Sequence, residues 1–177
     1  MLYKVSNYLL SLIADCVAIR KEGKQTVEII KVLFRGADIL ILDEPTSGLD
    51  PVSRDELLEI FLRLACEGVS ILFSTHITSD LEKIADCVTF IDKGHILLTG
   101  YKDEILESHA VIKCSKEDYS ALAKEDFVSA RLSDFGAEVM VADVNAAKAK
   151  YSGLTFDKTT LEEIMLFYVN REKKEWS

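Results

Sequence analysis

Apolar residues recur along this chain with two distinct periods, and the places where the period changes outline its organisation. Leu2, Val5, Leu9, Ile13 and Cys16 lie at helical spacing and predict an amphipathic helix within residues 1–18. After the polar break Arg20-Lys21-Glu22-Gly23, Val27, Ile30 and Phe34 share one face of a second helix over 24–35, which Gly36 can close. Ile39-Leu40-Ile41-Leu42 then runs without alternation and is too short for a buried helix. It predicts a central strand of a parallel sheet, covered on both faces and ending at Asp43-Glu44. Pro51 and a capping box at Ser53-Arg54-Asp55-Glu56 begin a helix striped by Leu57, Ile60, Phe61 and Leu64, and Gly68 ends it. Val69 to Phe73 predicts a second buried strand, and Ser79-Asp80-Leu81-Glu82 a capping box for a helix running to Asp86. Helix, strand, helix, strand, helix is the alternation that builds parallel sheets.

The pattern changes after residue 86. Cys87–Ile91 and His95–Thr99 are joined only by a turn containing Lys93-Gly94, which suits antiparallel strands. A short helix over Lys102–Glu107 follows. Beyond it the sequence predicts a strand at 110–114, a helix at 116–123, strands at 128–132 and 138–141 with a turn at Asp134-Phe135-Gly136, and a helix from Thr159 to about Asn170 capped by Thr159-Thr160-Leu161-Glu162-Glu163. The expected class is α/β: a parallel sheet with flanking helices over 1–107, then a small α+β appendage over 108–177.

Composition narrows the function classes. With 49% hydrophobic residues, 177 residues can bury a core. A formal net charge of -9 argues against a nucleic-acid partner, since phosphate-backbone affinity comes from clustered Lys and Arg. Cys16, Cys66, Cys87 and Cys114 form no C-x-x-C pair, which points to a reducing, cytoplasmic setting rather than a disulfide framework. The run from Val5 to Ile19 is too short to span a bilayer, and Asp15 interrupts it.

The chemistry concentrates at Leu42-Asp43-Glu44-Pro45-Thr46-Ser47-Gly48-Leu49-Asp50. Two adjacent carboxylates at the C-terminal end of a buried strand need a cation or a protonatable partner, and open α/β sheets place their ligands there. His76, at the end of the next predicted strand, can reach the same cleft. The nine residues resemble the Walker B strand and D-loop of ATP-binding cassette (ABC) transporter ATPases, and His76 resembles their H-loop. That resemblance implies a partial P-loop NTPase-like fold with ATP and Mg²⁺ as cofactors. Asp43 would hold Mg²⁺ through water, Glu44 would orient or deprotonate the attacking water, and His76 would contact the γ-phosphate. Ser47, Gly48, Leu49 and Asp50 would touch a second ATP-binding cassette in a dimer. The partners implied are that cassette and a transmembrane permease, which would place the chain at the inner face of the cell membrane.

Other parts of such a cassette have no counterpart in the 177 residues. A P-loop needs G-x-x-x-x-G-K-[ST], so that backbone N–H groups and Lys cradle the phosphates. The only Gly-Lys pair is Gly23-Lys24, followed by Gln25 and preceded by Ala18 where the first Gly belongs. The family's signature Leu-Ser-Gly-Gly-Gln falls on Ile19-Arg20-Lys21-Glu22-Gly23. The expectation is therefore a cassette with Walker B, D-loop and H-loop but no Walker A, inactive or nearly so by itself. The alternatives are a non-hydrolysing subunit that pairs with a complete cassette, and a doubly wound small-molecule module using Asp43, Glu44 and His76 as acid-base residues.

Overall fold

The computed structural model describes residues 38–175, with side chains to residue 170. The two helices expected within 1–35 lie outside the described residues. Chain contacts divide the protein into two compact units at Asp80/Leu81.

In the first unit, β1 (Ile39–Asp43) and β2 (Ser70–Ser74) pair in parallel, with Leu40 opposite Ile71 and Asp43 opposite Ser74. Their crossover is α1 (Pro51–Cys66), which buries Leu57, Leu58, Ile60 and Phe61. The rings of Phe61 and Phe73 approach to 6.1 Å in a tilted arrangement, and Leu40 is 1% exposed. The opposite face differs from expectation, because Ile39, Ile41 and Leu72 are 47%, 45% and 65% exposed. Among the described residues the single crossover helix covers only one face of the pair.

The start of α1 is also corrected. Asp50, not Ser53, is the N-cap: its Oδ1 accepts from the N–H groups of Val52 and Ser53 at 3.1 Å, and its Oδ2 from Ser53 Oγ at 2.6 Å. Pro51 takes the first helical position, where no N–H is required, so the helix begins earlier than a cap at Ser53 allows. At the other end Gly68, at φ +94°, completes a Schellman closure, with Gly68 N–H donating to Ala65 O and Val69 N–H to Leu64 O. Val69 is thereby part of the helix closure, and β2 starts one residue later than expected. Helix α2 (Thr78–Ile84) likewise starts at Thr78 rather than after a cap at Ser79.

The second unit contains the antiparallel hairpin β3 (Cys87–Asp92) and β4 (His95–Tyr101), then α3 (Lys102–Ser108). It continues with β5 (Ala110–Cys114), α4 (Lys116–Ala121), β6 (Ser129–Ser133), β7 (Gly136–Val141), α5 (Val144–Lys150), β8 (Thr155–Asp157) and α6 (Leu161–Glu175). Four strands form an antiparallel sheet in the order β6-β7-β5-β8. One face carries Val111 and Met140 against Leu161, Ile164 and Phe167 of α6, and Val88, Phe90 and Ile105 join the same cluster. The other face carries Ala110, Ile112, Val139 and Val141 under Leu122 and Ala147. Because residues 88–105 share the core of α6, the expected 107/108 boundary falls inside this unit.

Two elements here were not anticipated. In α5, Ala147 is the only buried residue, so no apolar stripe announces it, although Asp143 caps it by accepting from Ala146 N–H. β8 is three residues long and exists through its pairing with β5. The cap of α6 falls within the expected segment 159–163, and the structure selects its members: Thr160 Oγ1 accepts from Glu163 N–H at 3.2 Å, and Glu163 Oε2 accepts from Thr160 N–H at 3.4 Å, with the helix starting at Leu161. Glu82, expected to cap α2, instead accepts from Leu161 N–H at 2.7 Å.

Candidate functional site

The site is built on the C-terminal ends of β1 and β2. Parallel pairing in register sets Asp43 directly beside Ser74, and alternation puts both on the face opposite α1. Ser74 Oγ donates to Asp43 Oδ1, fixing one carboxylate oxygen. Ser74 was not singled out in the sequence; only the strand register identifies it as the neighbour of Asp43.

Glu44 leaves the strand in the left-handed region, at φ +48°, while its N–H still donates to Ser74 O at 2.9 Å. A non-glycine residue adopts that conformation at a cost, and such positions gather at functional sites. The bend carries the Glu44 carboxylate across to His76, whose Nδ1 lies 2.8 Å from Glu44 Oε2. In the tautomer that carries its proton on Nδ1, the ring donates to the carboxylate. Nε2 is then the second polar atom of the ring, and His76 is 71% exposed at its side chain. Three residues read from the sequence as one site, Asp43, Glu44 and His76, are thus gathered at one sheet end.

The segment from Ser47 to Asp50 is a tight turn leading into α1. Ser47 N–H donates to Glu44 O at 3.1 Å and Leu49 N–H to Thr46 O at 3.3 Å. Gly48 has φ +76°, a conformation glycine adopts without side-chain strain. Ser47 and Gly48 are exposed, whereas Leu49 is buried and anchors the turn. Asp50 is exposed, but both its oxygens are engaged in the cap, and its hydrogen bond from Ser53 Oγ is the main cause holding its carboxyl below the usual value. Thr46 is fully buried, and its Oγ1 has no hydrogen-bond partner among the described residues.

The donor set is compatible with Mg²⁺. It offers hard carboxylate oxygens at an open strand end, and Mg²⁺ commonly keeps several waters and takes one or two carboxylates besides nucleotide phosphates. Among the described residues no cluster of three or more His, Cys, Asp or Glu forms an all-protein cage for a metal.

Comparison with known proteins finds relatives that share this stretch of sequence. The profile described as "AAA domain, putative AbiEii toxin, Type IV TA system" matches residues 9–79, which include the whole site. The energy-coupling factor transporter ATP-binding protein EcfA2 of Streptococcus thermophilus is 38% identical over 87 residues, which are 49% of this chain and 31% of that protein. EcfA2 of Streptococcus pyogenes serotype M28 is 32% identical over 124 residues, 70% of this chain and 43% of that protein. A solved "Structure of ATP binding subunit of ABC transporter" is 34% identical, covering 40% of this chain and 29% of that one, with a TM-score of 0.36. The chain spans less than half the length of each of these relatives. Over the stretch that matches, the chain is similar to ABC transporter ATP-binding proteins.

Proposed function

We propose that this chain supplies the hydrolytic side of an ABC-type ATPase site, with the phosphate cradle coming from a P-loop outside these 177 residues. The observation that carries this reading is the 2.8 Å contact between His76 Nδ1 and Glu44 Oε2 across two paired strand ends. It holds the Glu44 carboxylate in one orientation, which a residue that aligns a water molecule requires. In this reading Glu44 orients the attacking water, and His76 positions Glu44 while presenting Nε2 to the terminal phosphate. Asp43, fixed by Ser74, would hold Mg²⁺ through water. Bound Mg²⁺ would neutralise charge on the phosphate oxygens. Ser47 and Gly48, the exposed part of the turn, would make the contact to a second cassette, while Leu49 and Asp50 hold that turn in place.

The reading extends to the assembly. The chain would work at the cytoplasmic face of a membrane, docked on a permease subunit; among the described residues no helix is long and apolar enough to cross a membrane itself. Residues 1–107 would be the cassette portion and 108–177 the accessory portion, although Val88, Phe90 and Ile105 of the former pack with the latter.

The experiment is complementation. Supplied with a polypeptide carrying the P-loop half of a related cassette, the chain should hydrolyse ATP, and Glu44→Gln should lower turnover by roughly 10²-fold or more while nucleotide binding persists. Alone, it should bind Mg-ATP only weakly in calorimetry. Equal turnover by wild type and Glu44→Gln would remove Glu44 from the mechanism. Nucleotide binding without turnover by the complemented wild type would favour a non-hydrolysing partner subunit.

A further inference from the structure

The pairing of His76 with Glu44 does not hold itself in place. The two side chains are 71% and 35% exposed, and a contact so open to water gains little from its own attraction. Yet Nδ1 and Oε2 stand 2.8 Å apart, so the restraint on the ring comes from the backbone that carries it. On the Glu44 side that restraint is the N–H of Glu44, which donates to Ser74 O at 2.9 Å and ties the two strand ends together.

On the His76 side, strand β2 has ended at Ser74, and the ladder with β1 stops there. Thr75 takes over. Its Oγ1 accepts from Ile77 N–H at 3.0 Å and closes a turn whose middle member is His76. The peptide units on both sides of the imidazole are thereby fixed. The in-out alternation of the strand continues through this turn, so that Thr75 and Ile77 are half-buried while His76 between them is exposed. Ile77 is anchored in its turn, because its carbonyl accepts at 3.1 Å from the N–H of Asp80, a residue 1% exposed in the first turn of α2.

We propose that Thr75 is a positioning residue: its hydroxyl closes the turn around His76 and so keeps the imidazole within reach of the Glu44 carboxylate. Its part in turnover rests on the ATPase reading above, whereas its effect on His76 does not, since every group involved belongs to this chain. The demand on the side chain is specific. Valine has the branched shape of threonine but no acceptor, and serine has the acceptor without the branch.

Nuclear magnetic resonance of the full chain at fixed pH tests it. Three histidines are present, and the ring signals of His76 are identified by their loss in His76→Ala. Glu44→Gln should shift those signals in the wild-type background and in Thr75→Ser. In Thr75→Val and Thr75→Ala the same exchange should shift them by roughly half as much or less, as for a hydrogen bond whose loss moves an equilibrium about fivefold. Backbone amide signals of β1 and α1 that match wild type show that a variant is folded, and Thr75→Ala serves if valine is not accommodated. In the complemented protein Thr75→Val should lower turnover by about fivefold at unchanged nucleotide affinity, with Thr75→Ser restoring it. A His76 response as large in the folded Thr75→Val or Thr75→Ala chain as in wild type, a response lost equally in Thr75→Ser, or no response in wild type would each overturn the proposal. A Thr75-dependent response without any turnover by the complemented protein would support it and sink the ATPase reading alone.

Discussion

Single residues set the site through backbone conformation as much as through side-chain chemistry. Glu44 reaches His76 because it sits in the left-handed region at the end of a strand, and no periodicity in the sequence signals that bend. If His76 positions Glu44, His76→Ala should slow turnover of the complemented protein with little change in nucleotide affinity, and His76→Gln, which can still donate to the carboxylate, should recover part of the rate. Parallel loss of binding and turnover in both variants would assign His76 a merely structural role. His109 shows a different use of the same residue type. It is 6% exposed, with Nδ1 2.8 Å from Ile105 O and Nε2 2.9 Å from Tyr168 Oη. Burial pushes its pKa below the ordinary value, partly opposed by the Ile105 carbonyl. The unfolded chain therefore binds a proton that the folded chain resists. This contribution to stability is complete above pH ~6.5 and is lost as pH falls from there toward the lower folded pKa. Melting temperature should drop over that acidic window, and less so in His109→Gln.

At the scale of elements, caps and closures decide where each helix begins and ends. Thr160→Ala removes one side of the reciprocal cap of α6 and should cost about 0.5–2 kcal/mol in denaturant unfolding. Phe61→Ala empties the space between α1 and β2 and should cost about 3–5 kcal/mol. Gly136→Ala should be worse than either cap change, because its Cβ would lie 2.4 Å from the Cys114 carbonyl oxygen and the backbone must move. A melt indistinguishable from wild type would mean that the hairpin is not pressed against β5. The capping boxes at Ser53 and Ser79 looked equivalent in sequence to the one within residues 159–163, yet only the last forms, between Thr160 and Glu163. Asp50 with Pro51 starts α1 earlier, and Glu82 is drawn away to Leu161. A local motif yields when another residue supplies a better acceptor, as Asp50 does, or a competing donor, as the Leu161 N–H does for Glu82.

For the whole molecule, the division at Asp80/Leu81 puts the site and the large antiparallel sheet in separate compact units. Two such units need not melt together. Calorimetry should give an unfolding enthalpy larger than the van't Hoff value, and probes in the first unit should report a different midpoint from probes in the second. Coincident transitions would show one cooperative body. Among the described residues the face with Ile39, Ile41 and Leu72 is open, and Ile41→Lys with Leu72→Lys should reduce light scattering during heating.

The sequence by itself determined the elements with strong periodicity and which polar residues meet at the strand ends of the first unit. The unalternating Ile-Leu run, the adjacent Asp43 and Glu44, the turn through Gly48 and the histidine after the next strand are all local patterns, and the structure brings Asp43, Glu44 and His76 together as read. The Lys93-Gly94 hairpin and the Thr160 cap were equally legible, because turn and cap chemistry are properties of a few adjacent residues. What only the tertiary structure decided were matters of pairing. Ser74 became the partner of Asp43 through strand register, and β8 became a strand through β5. The hairpin at 87–101 joined the core of α6 rather than the first unit's sheet, because Val88 and Phe90 bury against residues more than 70 positions away. Such long-range contacts leave no trace in local periodicity, since the same alternating strand can pack against any apolar face of the right size.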